Sequence, residues 1–424
     1  MEKITEKFTV PGYYKDFRCK GGTCRHTCCG GLAVNITQEE YFRLVGMECS
    51  PSLRSDLDLA LKPLNNPDPY RYACISPNFY GQCRLLDAEG LCELQKECGY
   101  GALTSVCKYF PRSPRMRDGA QCATANACEE TLELLYNAET PWTTETAELT
   151  FYLAGAPETA GDAQSPLRAQ IQRICVDIMS GGQNVVEQAP LGKRQATFID
   201  TGKPDKSGAQ DVPDMSPMSG EPLPIFSRLA KLEAFLAEIA PLMDLKNTEK
   251  LQEVLEQRSD QMNPVSPQPT KPTQPAQSMW TDPSYADAVK RLVHWAGETY
   301  PSVQPYCVAA DLRVAQGFDE GQFRAALTAV RAHFPKFDEF LTKAIVNEMF
   351  YHCFPFAEPN ITVHDAGEVL RHMVGMLVFL AATNLNESGT ETELIDLFVG
   401  FFRMADLTAF HRNSLIVIRR EHIE

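Results

Sequence analysis

The chain has 424 residues, 44% hydrophobic and 22% charged, which is long enough to bury a sizeable core without covalent staples. Its formal net charge of −15 argues against general nucleic-acid affinity, because neutralising phosphates needs clustered cations. The opening Met-Glu-Lys-Ile-Thr-Glu-Lys has no apolar signal region, and the longest strongly apolar stretch, Met373–Ala382, falls short of the about 20 residues a spanning helix needs, so a cytoplasmic protein off the membrane is expected.

Residues 1–135 are rich in Cys, Gly and Pro and predict short elements: a strand at Ala33–Ile36 and helices at Gln38–Val45 and Ser50–Leu61. Residues 136–181 form a helical segment. Ser165-Pro166 reads as a helix start, and Leu167, Ile171, Ile174 and Ile178 then recur at helical spacing. Residues 182–224 are polar and lack apolar periodicity, as a linker does. A helical segment at 225–257 carries Leu229, Leu232, Leu236 and Ile239 on one face. Residues 258–283 hold a proline-rich, polyproline-like linker. From 284 to 424 the stripes Val289–Ala296, Phe323–Phe334, Phe337–Met349, Val369–Leu380 and Leu394–Phe402 predict core-facing helices of one domain. No alternation of strands and helices suggests a parallel sheet. The expected fold is mainly α, with a cysteine-rich metal-binding N-terminal module packed with a helical C-terminal half.

The chain has fifteen cysteines, and eight of them are patterned: Cys19-x4-Cys24-x3-Cys28-Cys29, Cys83-x8-Cys92, Cys107 and Cys128. In a reducing compartment such thiolates bind metal more readily than they form disulfides, and the odd total points the same way. No C-x2-C knuckle of the zinc-ribbon kind occurs. An iron–sulfur cluster takes four cysteines from separated loops, 4Fe–4S being the expected type. A closed four-thiolate zinc site stays open as the alternative. Adjacent Cys28 and Cys29 point in different directions, so the expectation is that one ligates while the other packs or serves a second centre. Cys175 and Cys353 fall on apolar helical faces and read as core, and His26 reads as a loop residue. Lys108, Arg112, Arg115 and Arg117 form a basic knot after Cys107. That knot is a solvated loop, compensation for an anionic metal–thiolate centre, or a grip on a ligand carboxylate. The C-x3-C-x2-C triplet of radical chemistry, a Gly-x-Gly-x-x-Gly turn after a strand, a P-loop and His-Glu-x-x-His are all absent.

One family resemblance adds to these readings. Pro11-x-Tyr13-x-Lys15-Asp16-Phe17-Arg18-Cys19, Gly22-x-Cys24-x3-Cys28-Cys29-x-Gly31, Cys83-x-Leu85-Leu86-Asp87-x3-Leu91-Cys92-x2-Gln95, Ala102-Leu103-x3-Cys107-x2-Phe110-Pro111-Arg112 and Ala127-Cys128-x-Glu130 together resemble the flagellin lysine N-methylases. Asn347-Glu348-x-Phe350-x3-Phe354-Pro355-Phe356 is a weaker echo, and Leu32 stands where that family usually has tryptophan. The first part is also similar to a broader group of zinc- or iron-chelating cysteine-cluster domains. The resemblance implies methyl transfer from S-adenosylmethionine to lysine ε-amines of flagellin, in a protein carrying an iron–sulfur cluster. Lysine ammonium must first lose a proton, and Tyr13, Asp16, Asp87 and Glu130 are the motif residues that could take it. The alternative from another class is a non-enzymatic metal-binding or redox module whose helical half binds a partner.

Overall fold

Phe8 and Val10 alternate with more polar neighbours, and both side chains are fully buried, so the first residues form an inner strand. The computed structural model describes residues 2–32, 34–153, 164–182, 223–262, 282–358 and 360–419. Among these the protein is mainly α, with its strands in the first 153 residues.

Strands β1 (Glu2–Pro11), β2 (Val34–Ile36), β3 (Leu61–Pro63), β4 (Ala73–Ile75), β5 (Arg112–Arg115), β6 (Gln121–Thr124) and β7 (Thr144–Leu153) make two small sheets. The first has the order β5-β6-β1-β7, and the second β2-β4-β3. β1 and β7 pair antiparallel along their whole length, from Glu2 opposite Leu153 to Pro11 opposite Thr144. β6 joins β1 in parallel, through Thr9 opposite Gln121.

Short helices α1 (Gln38–Val45), α2 (Pro51–Ala60), α3 (Glu93–Cys98), α4 (Ser105–Tyr109) and α5 (Glu129–Asn137) surround the sheets. Thr37 and Glu40 cap α1 reciprocally, satisfying backbone donors that helix starts leave unpaired. Ile36, Leu44, Leu53, Leu57 and Leu85 form a satellite core there.

The remaining helices are α6 (Ser165–Ser180), α7 (Pro224–Asp244), α8 (Thr248–Met262), α9 (Pro283–Thr299), α10 (Gln304–Ala315), α11 (Glu320–His333), α12 (Phe337–Tyr351), α13 (Val363–Asn384), α14 (Glu391–Leu407) and α15 (Phe410–Ile418). α13 has the length and composition of a membrane span, yet 83% of its most apolar window is buried inside the protein. It packs against α7, α9, α10 and α11. Leu132, Leu135 and Trp142 share one continuous core with Phe340, Phe350 and Phe398, so α5 belongs to the helical body as much as to the cysteine-bearing loops.

The helical stripes lie where periodicity places them. Three features differ from the sequence expectation. The four-stranded sheet is additional and includes one parallel pair. α8 runs to Met262, into the segment expected to be linker from 258. α10 and α15 add helices that no stripe marked. The expected linkers fall largely at 183–222 and 263–281, outside the described residues, as does Ala33.

Candidate functional site

The cysteine loops come together because small residues and ion pairs let them. A Cβ on Gly22 would stand 2.9 Å from the Glu89 carbonyl, so only glycine allows the first loop to lie against the turn between Cys83 and Cys92. Asp87 organises that turn. Its carboxylate accepts the Glu89 and Leu91 N–H groups and pairs with Lys96 at 2.5 Å. The Lys96 bond holds its carboxyl below the usual range. The Cys83 N–H donates to the Cys29 carbonyl at 2.7 Å. Lys20 pairs with Glu129 and Glu133 on α5, and Arg25 with Glu133 and Asp396, tying the first loop to α5 and α14.

Two neighbourhoods of thiols result. Burial pushes Cys107 up to about 12, and Cys29, Cys83 and Cys92 add to that rise although the residue's outer surface is open. Burial likewise pushes Cys83 up to about 11, with Cys29 and Cys92 as its thiol neighbours. The second neighbourhood holds Cys24, pushed up to about 11 by burial and then by Glu129, Cys128 and Cys19. Cys28 lies between the two. It donates to Cys29, which raises Cys28 and lowers Cys29 to about 7, and Cys28 also faces Cys107 and Cys19. The structure therefore brings Cys29, Cys83, Cys92 and Cys107 together, and Cys19, Cys24 and Cys128 together, with Cys28 at the boundary. Cys175 and Cys307 lie in the helical core, and the Cys353 sulfur accepts from Gln121.

One cation facing the thiols was missed by sequence reasoning. Arg403 on α14 donates to the carbonyls of His26 (2.8 Å), Thr27 (2.6 Å) and Gly30 (3.1 Å) and lies within electrostatic range of Cys28, Cys128 and Cys24. The basic knot has other contacts. Arg112 stacks over Phe17 at 4.7 Å, and Lys108 donates to the Gly101 carbonyl.

The four candidate bases are dispersed. Asp16 is exposed at the end of a short turn, Asp87 is the turn organiser described above, and Glu130 is half-buried and raised by burial and Glu133. Tyr13 is different. Its hydroxyl donates to Asn347 Oδ1 at 2.6 Å and accepts from Thr124 Oγ1 at 3.0 Å. Burial raises this phenol, so its hydroxyl holds its proton and donates. From Tyr13 a buried polar chain continues. Asn347 Nδ2 donates to Asn126 Oδ1 at 2.8 Å, and Asn126 Nδ2 donates to Glu348 Oε2 at 3.3 Å. The Asn347-Glu348 echo thus lies beside the N-terminal motif in space.

Two cavities flank α12. One is an apolar cleft of about 440 Å³ that includes Glu348, His352 and His411 in its lining. The other, about 790 Å³, opens between the four-stranded sheet, α6 and α12, lined by Thr9, Asp118, Gln121, Gln172, Arg173 and Asp177.

This mainly α protein gathers cysteines from distant loops under a helical body, and its known likenesses are partial. It is 27% identical over 141 residues to the proteins named Lysine-N-methylase of Salmonella choleraesuis and Salmonella typhimurium, covering 32% of this chain and 34% of each of theirs. It is 26% identical over 141 residues to the protein named Flagellar biosynthetic protein FliU of Salmonella muenchen, covering 32% of this chain and 80% of that one. The chain thus matches about a third of the length of the lysine-N-methylases. No family model matches it, and no solved structure matches it.

Proposed function

We propose that this chain is a protein lysine N-methyltransferase that moves the methyl group of S-adenosylmethionine to ε-amines of flagellin. The observation that carries the reading is the likeness over 141 residues to proteins named lysine-N-methylase, with the FliU name supplying the flagellar link. The methyl donor is assigned to the cavity lined by Thr9, Asp118, Gln121, Gln172, Arg173 and Asp177, whose wall offers both carboxylates and amides.

The thiol neighbourhoods fit a sulfur-ligated iron cluster. Cys29, Cys83, Cys92 and Cys107 would hold one 4Fe–4S centre, which supplies a redox-active iron site when bound. Cys19, Cys24, Cys28 and Cys128 form the second set of thiol donors. Arg403 offsets thiolate charge and holds the Cys28–Cys29 loop in place.

Incubating the anaerobically purified chain with S-adenosylmethionine and flagellin should add about 14 Da per methyl to exposed lysines, read by intact-mass spectrometry. Cluster-loaded protein that binds flagellin but leaves its mass unchanged would favour the non-enzymatic metal-binding module instead.

A further inference from the structure

Glu348, His352 and His411 converge at the cleft of about 440 Å³, away from the thiols and independently of the methyl-transfer reading. Glu348 and His352 are four residues apart at the end of α12 and so share one face. His411 comes from the first turn of α15. His352 Nε2 stands 3.5 Å from Glu348 Oε1 and 3.3 Å from Asp406 Oδ1, and His411 Nε2 stands 3.8 Å from Glu348 Oε1. Glu348 is 2% exposed. Its Oε1 and His411 Nε2 are buried with no hydrogen-bond partner among the described residues, a condition that destabilises a protein unless a ligand satisfies the groups. The other oxygen of each carboxylate is anchored. Glu348 Oε2 accepts from Asn126 Nδ2, and Asp406 Oδ2 accepts from the Ala127 N–H at 2.9 Å. Donors that hold a carboxylate from behind and leave its free oxygen aimed inward are the outer-shell pattern of metal sites.

We propose that Glu348, His352 and His411 bind one divalent transition-metal ion, with Asp406 beside it and an open coordination position facing the apolar cleft. The separations decide between a metal and an organic ammonium. Bonds of about 2.1 Å to a tetrahedral ion set its donors about 3.4 Å apart. Hydrogen bonds of about 2.8 Å from an ammonium would set them about 4.6 Å apart. The two separations from Glu348 Oε1, 3.5 Å to His352 and 3.8 Å to His411, lie nearer the metal spacing. Two imidazoles with one carboxylate is a donor set of zinc and iron(II) centres that keep a position free. The second three-donor set, His364, Asp365 and Glu368, differs because Arg419 already neutralises its carboxylates.

The test uses the full chain, dialysed against EDTA and titrated with cobalt(II). Once the thiol sets are saturated, further cobalt should give visible d–d bands with no added sulfur-to-cobalt charge transfer, and pulsed EPR should show two coupled imidazole nitrogens. His352→Asn and His411→Asn should each lose that signal, while His364→Ala keeps it. Wild-type protein that binds cobalt through sulfur alone, or with fewer than two imidazoles, overturns the proposal even if a variant fails to fold. So does a two-imidazole signal that survives in either folded histidine variant.

Discussion

Replacing Arg403 with methionine removes the grip of the helical body on the loop that carries Cys28 and Cys29. The side chain makes three hydrogen bonds of 2.6, 2.8 and 3.1 Å to that loop's carbonyls. At about 1.5 kcal/mol for each charged bond, the gross contribution is about 4–5 kcal/mol. Burial disfavours the guanidinium and offsets part of this, leaving about 3 kcal/mol. A loop that opens more easily by that amount would bind metal roughly 100-fold more weakly. Arg403→Lys keeps the charge without the fork and should fall between the two. Iron and acid-labile sulfide per chain, measured after a fixed chelator challenge, read the metal side. Amide exchange at residues 26–30 reads the loop whether or not iron is present. Arg403→Met with unchanged exchange in that loop and unchanged iron retention would refute the reasoning.

Serine at Cys29, Cys83, Cys92 or Cys107 should abolish the iron signal, whereas serine at Cys175 or Cys307 should leave it intact, because those two side chains lie in the helical core; metal analysis decides, and iron lost from Cys175→Ser would displace the site. Burial pushes His372 down to about 4, against about 6.5 in the unfolded chain. Between those values the unfolded chain takes a proton that the folded one refuses, so stability falls as pH falls, by about 2 kcal/mol between pH 7.5 and 5. His372→Gln should flatten that part of the urea-midpoint profile, and an unaltered slope would count against the assignment.

The helices were legible because each buries one stripe. Leu229, Leu232, Leu236 and Ile239 recur every three or four residues, and all four are buried on α7. The sheet was not, because β1 shows only Phe8 and Val10 as a short alternation and its partner β7 lies far along the chain. Cysteine spacing marked the thiol loops, yet nothing local could show that Cys28 faces both neighbourhoods. Arg403 was illegible for a related reason. It reads as one more arginine on a helix until α14 packs beside α5. Of the motif residues, Tyr13 and Glu348 lie far apart in sequence and meet through Asn347 and Asn126, a connection that only tertiary structure makes. The Glu348-x3-His352 spacing was a readable signal, but without His411 it looked like any polar pair on a helix.

The full-length pairing of β1 with β7 has a consequence for how the molecule is made. Every residue of β1 waits for a partner that leaves the ribosome only after the last patterned cysteine, since Pro11 meets Thr144 and Glu2 meets Leu153. At ordinary synthesis rates that delay is on the order of ten seconds. During it the thiols emerge one after another on an unclasped chain, open to oxidants and to whatever metal is at hand. The strand pair works as a late-closing buckle, and the order of events it imposes is thiols first, enclosure second.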